Sequence, residues 1–265
     1  MSKLQAASQT SLDIMRTQSL VSLIAHEIEG TIVRGDIGPG ERINEFQLAL
    51  RFQTSRGPIR EALRGLQQAG LLEARRNRGV FVREIADAEA LDIYEVRAVL
   101  FGLAGQLLAK RITKSELSAL TQLHRQMGKS VRANDPVQYF PINLAFHTMI
   151  VSCCGNATLQ TQYSELVKKL HLCRSQSLSQ SGNLKTSNDE HAALLEALAA
   201  GDPERAFRAH AAHVLNAKAR FCALVEAHRR SSETVSSAEQ QGSPSRAKPS
   251  RDHRPSLPLR RSRPL

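Results

Sequence analysis

The sequence predicts a mainly α-helical protein with an N-terminal winged helix-turn-helix and a C-terminal, all-helical antiparallel bundle. Three observations lead to this fold class. A basic amphipathic helix follows a short helix and a tight turn, and two strand-like segments come after it. From residue 86 to 228 the apolar spacing is helical, without a strand pattern. Aromatic residues make up only 4% of the chain, which favours a helical core rich in Leu and Ala.

The N-terminal elements follow the order helix, helix, turn, basic helix and hairpin, which is typical of a winged helix-turn-helix. They are predicted as helices at 19–34 and 45–52, a turn at 53–54, a basic helix that begins after Ser55, and strands at 71–75 and 80–83. Ser55 is a favourable N-cap residue, and Pro58 lies in the first turn, where a missing N–H does no harm.

The basic helix has two faces. Arg56, Arg60 and Arg64 recur every four residues, so they lie along one face. Apolar residues at helical spacing form a second face that is predicted to be buried: Ile59, Ala62, Leu63 and Leu66. The start of the helix points Arg56 and unpaired backbone N–H groups outward, as a helix that enters a DNA groove requires. The alternative is a solvated basic helix with a purely structural role.

Three motifs of this segment resemble the N-terminal domain of the GntR-family transcription regulators. They are Gly38-Pro39-Gly40-Glu41-Arg42, Ser55-Arg56-Gly57-Pro58-Ile59-Arg60-Glu61-Ala62-Leu63 and Asn77-Arg78-Gly79-Val80. The resemblance implies that a double-stranded DNA operator is contacted by Ser55, Arg56, Gly57 and Arg60, with Arg78 and Gly79 at the tip of the wing. Many relatives carry Thr at the position of Gly57, so a contact there would be made by the backbone.

The C-terminal part is predicted to consist of six helices with short connections. They lie at 87–110, from 113, from 135, at 157–179, from 187 or 188 to 200, and from 202 to 228. Thr113 and Glu116 form a capping box, and Asp135 and Asp202 each precede a Pro in a first helical turn.

Four polar residues of this bundle are candidate ligands of a metal ion. Asn143 and His147 are four residues apart and share a helix face, while His191 and His213 lie on two later helices. Helical bundles build metal sites from side chains on facing helices, and imidazoles suit a transition metal better than calcium or magnesium. The alternative is uncharged polar packing in a pocket. His210, one turn before His213, either supports a ligand or is exposed.

The same residues resemble the FCD domain, the ligand-binding domain of the FadR-type branch of the GntR family. The resemblance implies one divalent ion, Zn, Ni or Mn, held by His147, His191 and His213, with Asn143 as a weaker ligand where many relatives have Asp. It also implies a small carboxylate effector, which Arg97 would help to bind. For Arg97 the alternatives are an ion pair with Glu95 or Asp92, or a contact between subunits.

Composition defines the rest of the chain. Residues 229–265 carry +6 of the net charge of +11 and are rich in Ser, Pro and Arg, so they are predicted to be a disordered basic tail. Residues 1–17 are also expected to be disordered, which leaves a DNA-binding domain at 18–84 and an effector-binding and dimerisation domain at 85–228. No apolar segment has the length of a membrane span, and no signal peptide is recognised, so a cytoplasmic protein without a membrane partner is expected.

The predicted function is a metabolite-responsive transcription regulator, a repressor, that binds a two-fold symmetric operator as a homodimer. A metal-dependent enzyme with a helical-bundle active site and an accessory DNA-binding domain is the alternative. The paired Glu and Glu-x-x-His residues of di-iron bundles are not found, and only Glu190 is placed as a general base. A DNA architectural protein is a third possibility, which the separate His-containing domain disfavours. The chain is therefore not expected to be an enzyme.

Overall fold

The structure, a computed structural model, describes residues 20–174 and 182–241. The described ranges contain nine α-helices and one two-stranded antiparallel sheet. In chain order the elements are α1 (20–34), α2 (Glu45–Arg51), α3 (Arg56–Gln68), β1 (Leu72–Arg75), β2 (Gly79–Val82), α4 (Asp87–Ala109), α5 (Lys114–Arg132), α6 (Pro136–Cys153), α7 (Ala157–Arg174), α8 (Gly182–Ala199) and α9 (Pro203–Gln241). The predicted fold class, a winged helix-turn-helix followed by a helical domain, is confirmed.

The winged helix-turn-helix is held together by one apolar cluster. Its fully or almost fully buried members come from α1, α3 and the wing: Ile24, Ile28, Ile32, Ile59, Leu63, Leu66, Leu71, Leu72 and Val82. In the wing, Leu72 pairs with Val82 and Arg75 with Gly79. Leu172, which belongs to α7 of the helical part, is also a member of this cluster. The helix α7 therefore packs directly against the DNA-binding segment.

Local capping explains where most of the later helices begin. The predicted capping box is present at α5, where Thr113 Oγ1 accepts a hydrogen bond from the Glu116 backbone and Glu116 accepts one from the Thr113 backbone. Asp135 accepts from the backbone of Gln138 at the start of α6, and Asp202 accepts from Glu204 and Arg205 at the start of α9. Each side chain satisfies backbone donors that a helix terminus leaves without a partner.

Two helix boundaries differ from the prediction. The helix α8 begins at Gly182 rather than at 187 or 188, and an ion pair between Lys185 and Asp189 at 2.8 Å supports the additional turn. The helix α9 continues to Gln241 instead of ending at 228, so the tail predicted as disordered starts too early. Residues 229–241 include Ala, Glu, Gln and Arg, which favour helix, and Gly242 follows them.

Other predictions fall on residues that the structure does not describe. These are the disordered N-terminus at 1–17, the end of the fourth bundle helix at 175–179, and the part of the tail from 242 to 265. No helix in the described ranges has both the length and the apolar character needed to cross a lipid bilayer.

Two glycines of α4 allow α9 to approach it closely. A Cβ atom placed on Gly102 would lie 3.0 Å from the Phe207 ring, and one on Gly105 would lie 2.5 Å from the His210 ring. Phe101, which is fully buried, packs beside His210 and His147 with ring centroids 5.0 Å apart in both cases. The close contact of α4 and α9 thus places the buried histidines around Phe101.

Candidate metal centre and DNA-binding surface

Three histidines converge in the interior of the helical part. His147 comes from α6, His191 from α8 and His213 from α9, and all three are buried. The Nε2 atom of His147 lies 3.0 Å from Nε2 of His191 and 3.2 Å from Nε2 of His213. The ligand atoms of this triad all lie within 4.8 Å of one another. Three imidazole nitrogens that point at one place form a donor set suited to a transition metal.

Glu190 fixes the orientation of His213. Its Oε2 atom lies 2.7 Å from Nδ1 of His213, and both of its oxygens accept hydrogen bonds from Arg220 at 2.7 and 3.2 Å. Nδ1 of His213 therefore carries the proton, and the Nε2 lone pair is directed toward the triad. A carboxylate on the far side of a ligating histidine is the common supporting arrangement at metal sites.

Burial and hydrogen bonding set the protonation states of this cluster. Burial lowers the pKa of His191 well below its ordinary value and also lowers that of His213, although Glu190 partly opposes the shift for His213. Burial alone would raise the pKa of Glu190, but hydrogen bonds from His213 and Arg220 lower it to about 2. At neutral pH the imidazoles of His191 and His213 are therefore uncharged, which is the form that binds metal, and Glu190 is ionised.

Arg97 lies beside the triad and has no acidic partner among the described residues. Only 2% of it is exposed. Its Nε donates to Tyr163 Oη at 3.2 Å, Nη2 lies 3.5 Å from Nδ1 of His147, and the buried Nη1 makes no hydrogen bond. Of its two predicted alternative partners, Glu95 instead forms an ion pair with Lys218.

A cavity of about 280 Å³ opens next to these side chains. Arg97, Asn143 and His147 line one part of it, and the buried Oδ1 atom of Asn143 makes no hydrogen bond. Of the three histidines of the triad, only His147 lines the cavity. His210 is fully buried rather than exposed, and its Nδ1 donates to the Ala206 carbonyl at 2.7 Å.

The residues predicted to contact DNA lie on the exposed side of the winged helix-turn-helix. Ser55, Arg56, Gly57 and Arg60 are all exposed at or near the start of α3. Ser55 is the N-cap residue of α3, as predicted, although its side chain makes no capping hydrogen bond to the helix. The Arg56 guanidinium lies 5.7 Å from the centroid of the exposed Phe46 ring, and Arg60 forms an ion pair with Glu45 at 2.9 Å.

The wing brings three further residues together. Arg78 is exposed at the turn between β1 and β2, and Gly79 has φ of +104°, which favours glycine. A Cβ atom on Gly79 would lie 3.2 Å from Nε of Arg42, so the Arg42 side chain lies against the wing tip. The sequence indicates the exposed Arg42 only as part of the turn motif at 38–42. Its position beside the wing results from a contact between segments that are distant in the chain.

The sequence did not identify Arg220 and Tyr163 as parts of the site. Arg220 could have been found, because it lies seven residues after His213 and so shares its helix face. Tyr163 gives no such signal, since its contact with Arg97 joins two helices far apart in the chain.

Comparisons with known proteins agree with this arrangement. The model of the bacterial regulatory proteins of the gntR family matches residues 20–82, and the FCD domain model matches residues 92–216. An uncharacterized HTH-type transcriptional regulator, YdhC of Bacillus subtilis (strain 168), is 29% identical over 189 residues, which cover 71% of this chain and 84% of YdhC. A protein of Paenarthrobacter nicotinovorans named "Probable D-xylose utilization operon transcriptional repressor" is 29% identical over 205 residues, covering 77% and 89% of the two chains.

The solved structure of E. coli McbR/YncC has the same fold, with a TM-score of 0.69 at 20% identity over 78% of this chain and 98% of that one. The matched families and relatives are transcription regulators and not enzymes. The chain therefore belongs to the GntR family of DNA-binding transcription regulators and carries an FCD domain after its winged helix-turn-helix.

Proposed function

We propose that this regulator is a metabolite-responsive repressor, and that a small carboxylate binds in its helical domain through a divalent metal. The observation that carries the proposal is Arg97. A guanidinium that is 2% exposed, with no carboxylate at ion-pair distance in the described ranges, is costly unless an anion joins it. Because Arg97 lines the cavity beside the triad, a bound carboxylate would supply the missing charge.

The residues present fit a divalent ion such as Zn, Ni or Mn. His147, His191 and His213 offer three imidazole nitrogens, and Glu190 orients one of these rings through the Nδ1 atom of His213. Asn143 lines the same cavity as His147, and its Oδ1 atom is buried without a hydrogen bond, which supports it as a weaker fourth ligand. A bound ion would keep its full charge beside neutral ligands and would attract an anion.

The proton on His147 couples the metal to the anion. Nδ1 of His147 faces Nη2 of Arg97, which is always a donor. When Nε2 of His147 binds a metal, its proton must lie on Nδ1, so two donors face each other. An acceptor such as a carboxylate oxygen relieves this conflict. A metal at the triad and an acid beside Arg97 would therefore each strengthen the binding of the other.

The DNA contacts in this proposal are Ser55, Arg56, Gly57 and Arg60 on α3, with Arg78 and Gly79 at the wing. Their exposure on one side of the winged helix-turn-helix supports the role. We further assign residues 18–84 to DNA binding and residues 85–228 to effector binding and dimerisation, in a cytoplasmic protein. The relative that is named a repressor supports repression rather than activation.

A homodimer is part of the proposal, because a two-fold symmetric operator requires two recognition helices. Val96 and Val99 of α4 are 54% and 59% exposed and three residues apart, and they support α4 as the contact. Val99→Glu should convert the dimer to monomers in sedimentation velocity, while Val137→Glu, at another exposed valine, should not. A wild-type monomer, or an unaffected Val99→Glu dimer, would contradict this assignment.

The metal is tested by elemental analysis after chelator treatment and reloading with Zn, Ni or Mn. Wild type should bind about one ion per chain, and His147→Ala and His213→Ala should bind none while still binding operator. His124→Ala, at a histidine outside the triad, is the control. Metal content that is equal in all four proteins, or absent from the wild type, would refute the site.

A further inference from the structure

The cavity beside the triad reaches the first helix of the DNA-binding segment. Four residues of α1 line its far wall: His26, Glu29, Gly30 and Val33. The opposite face of α1 carries Ile24, Ile28 and Ile32, which are buried in the winged-helix cluster. The helix α1 therefore has one face in the DNA-binding core and one face on the cavity, so a molecule that fills the cavity would touch it directly.

A cationic side chain lies at each end of the cavity. Arg97 lies at the end next to the triad, and Lys168 lines the end next to α1. Glu29 is the one carboxylate among the lining residues of the described chain, and its Oε2 lies 2.9 Å from Nζ of Lys168. The remaining wall is largely apolar: it contains Leu144, Val151 and Val167, together with the uncharged polar residues Thr148, Gln160 and Ser164.

The helix α7 sets the spacing of the two ends. Tyr163 holds Arg97 through its hydroxyl, and Lys168 follows five residues later on the same cavity-lining face. Five residues of α-helix rise roughly 7.5 Å, which is the distance along the axis between the backbones of Tyr163 and Lys168. Two cationic groups at opposite ends of a mostly apolar cavity suit a short linear molecule that has an anionic group at each end.

We propose that the effector is such a diacid: one carboxylate joins Arg97 and the metal, and the other takes the place of Glu29 on Lys168. This inference rests on the proposed acid-binding function and adds the second binding group and its consequence. Loss of the Glu29–Lys168 pair removes an ionic contact between α1 and α7. The bound diacid thereby acts on the helix that supports the recognition helix, and operator is released.

The test uses the full-length, metal-loaded protein and matched pairs of acids: succinate with butyrate, glutarate with pentanoate, and adipate with hexanoate. Affinity is measured by calorimetry, and release is measured by the anisotropy of a labelled duplex that the wild type has selected from a random library. In the wild type, at least one diacid should bind tenfold or more tightly than its monoacid partner and should release the duplex.

Two variants and one control separate the roles. Lys168→Met keeps the aliphatic stem and should abolish the preference for the diacid while leaving monoacid affinity unchanged. Glu29→Gln removes the competing carboxylate and should raise diacid affinity several-fold. Lys169→Met is the matched control: Lys169 is the next residue, lies beside Gly70 and does not line the cavity, and its replacement should leave the preference intact.

Each other result overturns the inference. Equal binding of monoacids and diacids by the wild type, a diacid preference that survives Lys168→Met, or a preference lost equally in Lys169→Met would show that Lys168 does not hold a second anion. These failures leave the proposed function standing. If neither class of acid binds the metal-loaded protein, the acid-binding function fails as well.

Discussion

Arg56 and Arg60 lie one turn apart on α3, yet their surroundings differ. Arg56 has the Phe46 ring beside its guanidinium and forms no ion pair with a described residue, whereas Arg60 is paired with Glu45. The carboxylate of Glu45 limits the positions that the Arg60 side chain can adopt and offsets its charge. Both arginines are exposed, so each is available for a directional contact with a base edge, and Arg60 would exchange its ion pair with Glu45 for that contact.

Arg56→Ala and Arg60→Ala should each cost about 1–3 kcal/mol of binding free energy to the selected duplex, as expected for loss of a base contact.

Arg78→Ala at the wing should weaken binding to selected and unrelated duplexes alike and should reduce the salt dependence, because a phosphate contact carries no sequence information. Anisotropy titrations at several salt concentrations measure both effects. Arg125→Ala on α5 is the control, and full binding by both α3 variants would contradict the assignment.

His210 makes the stability of the protein depend on pH. Burial lowers its pKa from the ordinary 6.5 to about 4, although the hydrogen bond to Ala206 opposes the shift. Between these two pH values the unfolded chain binds one proton more than the folded chain. The free energy of unfolding should therefore fall as the pH falls from 6.5 to 4, with a contribution from His210 of up to about 3 kcal/mol.

The contribution of His210 is isolated by comparison with His210→Phe, which keeps a ring of similar size and cannot titrate. Urea unfolding at a series of pH values should give a shallower decline for the variant than for the wild type in this window. If the phenyl ring packs less well than the imidazole, the resulting loss of stability is the same at every pH and does not change the slope of the free energy of unfolding against pH. Equal slopes in the two proteins would show that His210 is not buried in its neutral form.

At the scale of elements, the sequence predicted what local chemistry determines. The capping box at Thr113 and the caps at Asp135 and Asp202 gave the starts of three helices, because a cap and the backbone it satisfies are neighbours in the chain. The start of α8 was missed because Ser187 and Asn188, which are also favourable N-cap residues, indicate a later beginning, whereas the helix starts at Gly182. The membership of Leu172 in the winged-helix cluster could not be predicted, because helical spacing does not specify the partner of an apolar face.

Gly105 is predicted to be essential for the contact between α4 and α9. Gly105→Ala should destabilise the protein by about 1–3 kcal/mol, because the new Cβ would meet the buried His210 ring at 2.5 Å. Gly128→Ala in α5 is the matched control, since its nearest side-chain atom would lie 3.6 Å away. That exchange should stabilise the helix by about 0.5–1 kcal/mol, as Ala for Gly does within helices. Urea unfolding measures both, and the same sign of change in the two variants would contradict the close contact.

At the scale of the whole molecule, the site was only partly predictable. Helical spacing and family resemblance indicated His147, His191 and His213, and the structure brings these three together. The support of His213 by Glu190 and Arg220 and the cavity wall formed by α1 arise from contacts between distant segments. The same is true of the surroundings of Arg97, where the part of the chain that the structure describes supplies no carboxylate. Those contacts depend on how helices pack, which periodicity along one helix does not determine.

A metal that binds only the folded chain should stabilise the whole protein. At a free metal concentration of 100 times Kd the gain is about 2.7 kcal/mol in the free energy of unfolding. Glu190→Gln retains the three histidines but loses the charged acceptor for Nδ1 of His213, so Kd should rise about 10–100-fold and the gain at the same metal concentration should shrink. His147→Ala should show no gain.

The increase in the free energy of unfolding that metal causes should be larger at pH 7 than at lower pH. Because burial lowers the pKa of His191 and His213, both are neutral at pH 7 and the full gain is present there. The gain should disappear only as the pH falls through the lowered pKa values of the folded protein, below the ordinary 6.5, because protons then compete for the ligand nitrogens. Thermal unfolding of wild type, Glu190→Gln and His147→Ala, with and without metal at pH 7 and pH 5, measures this. A metal-induced rise in Tm that is equal in all three proteins, or larger at pH 5 than at pH 7, would place the metal elsewhere.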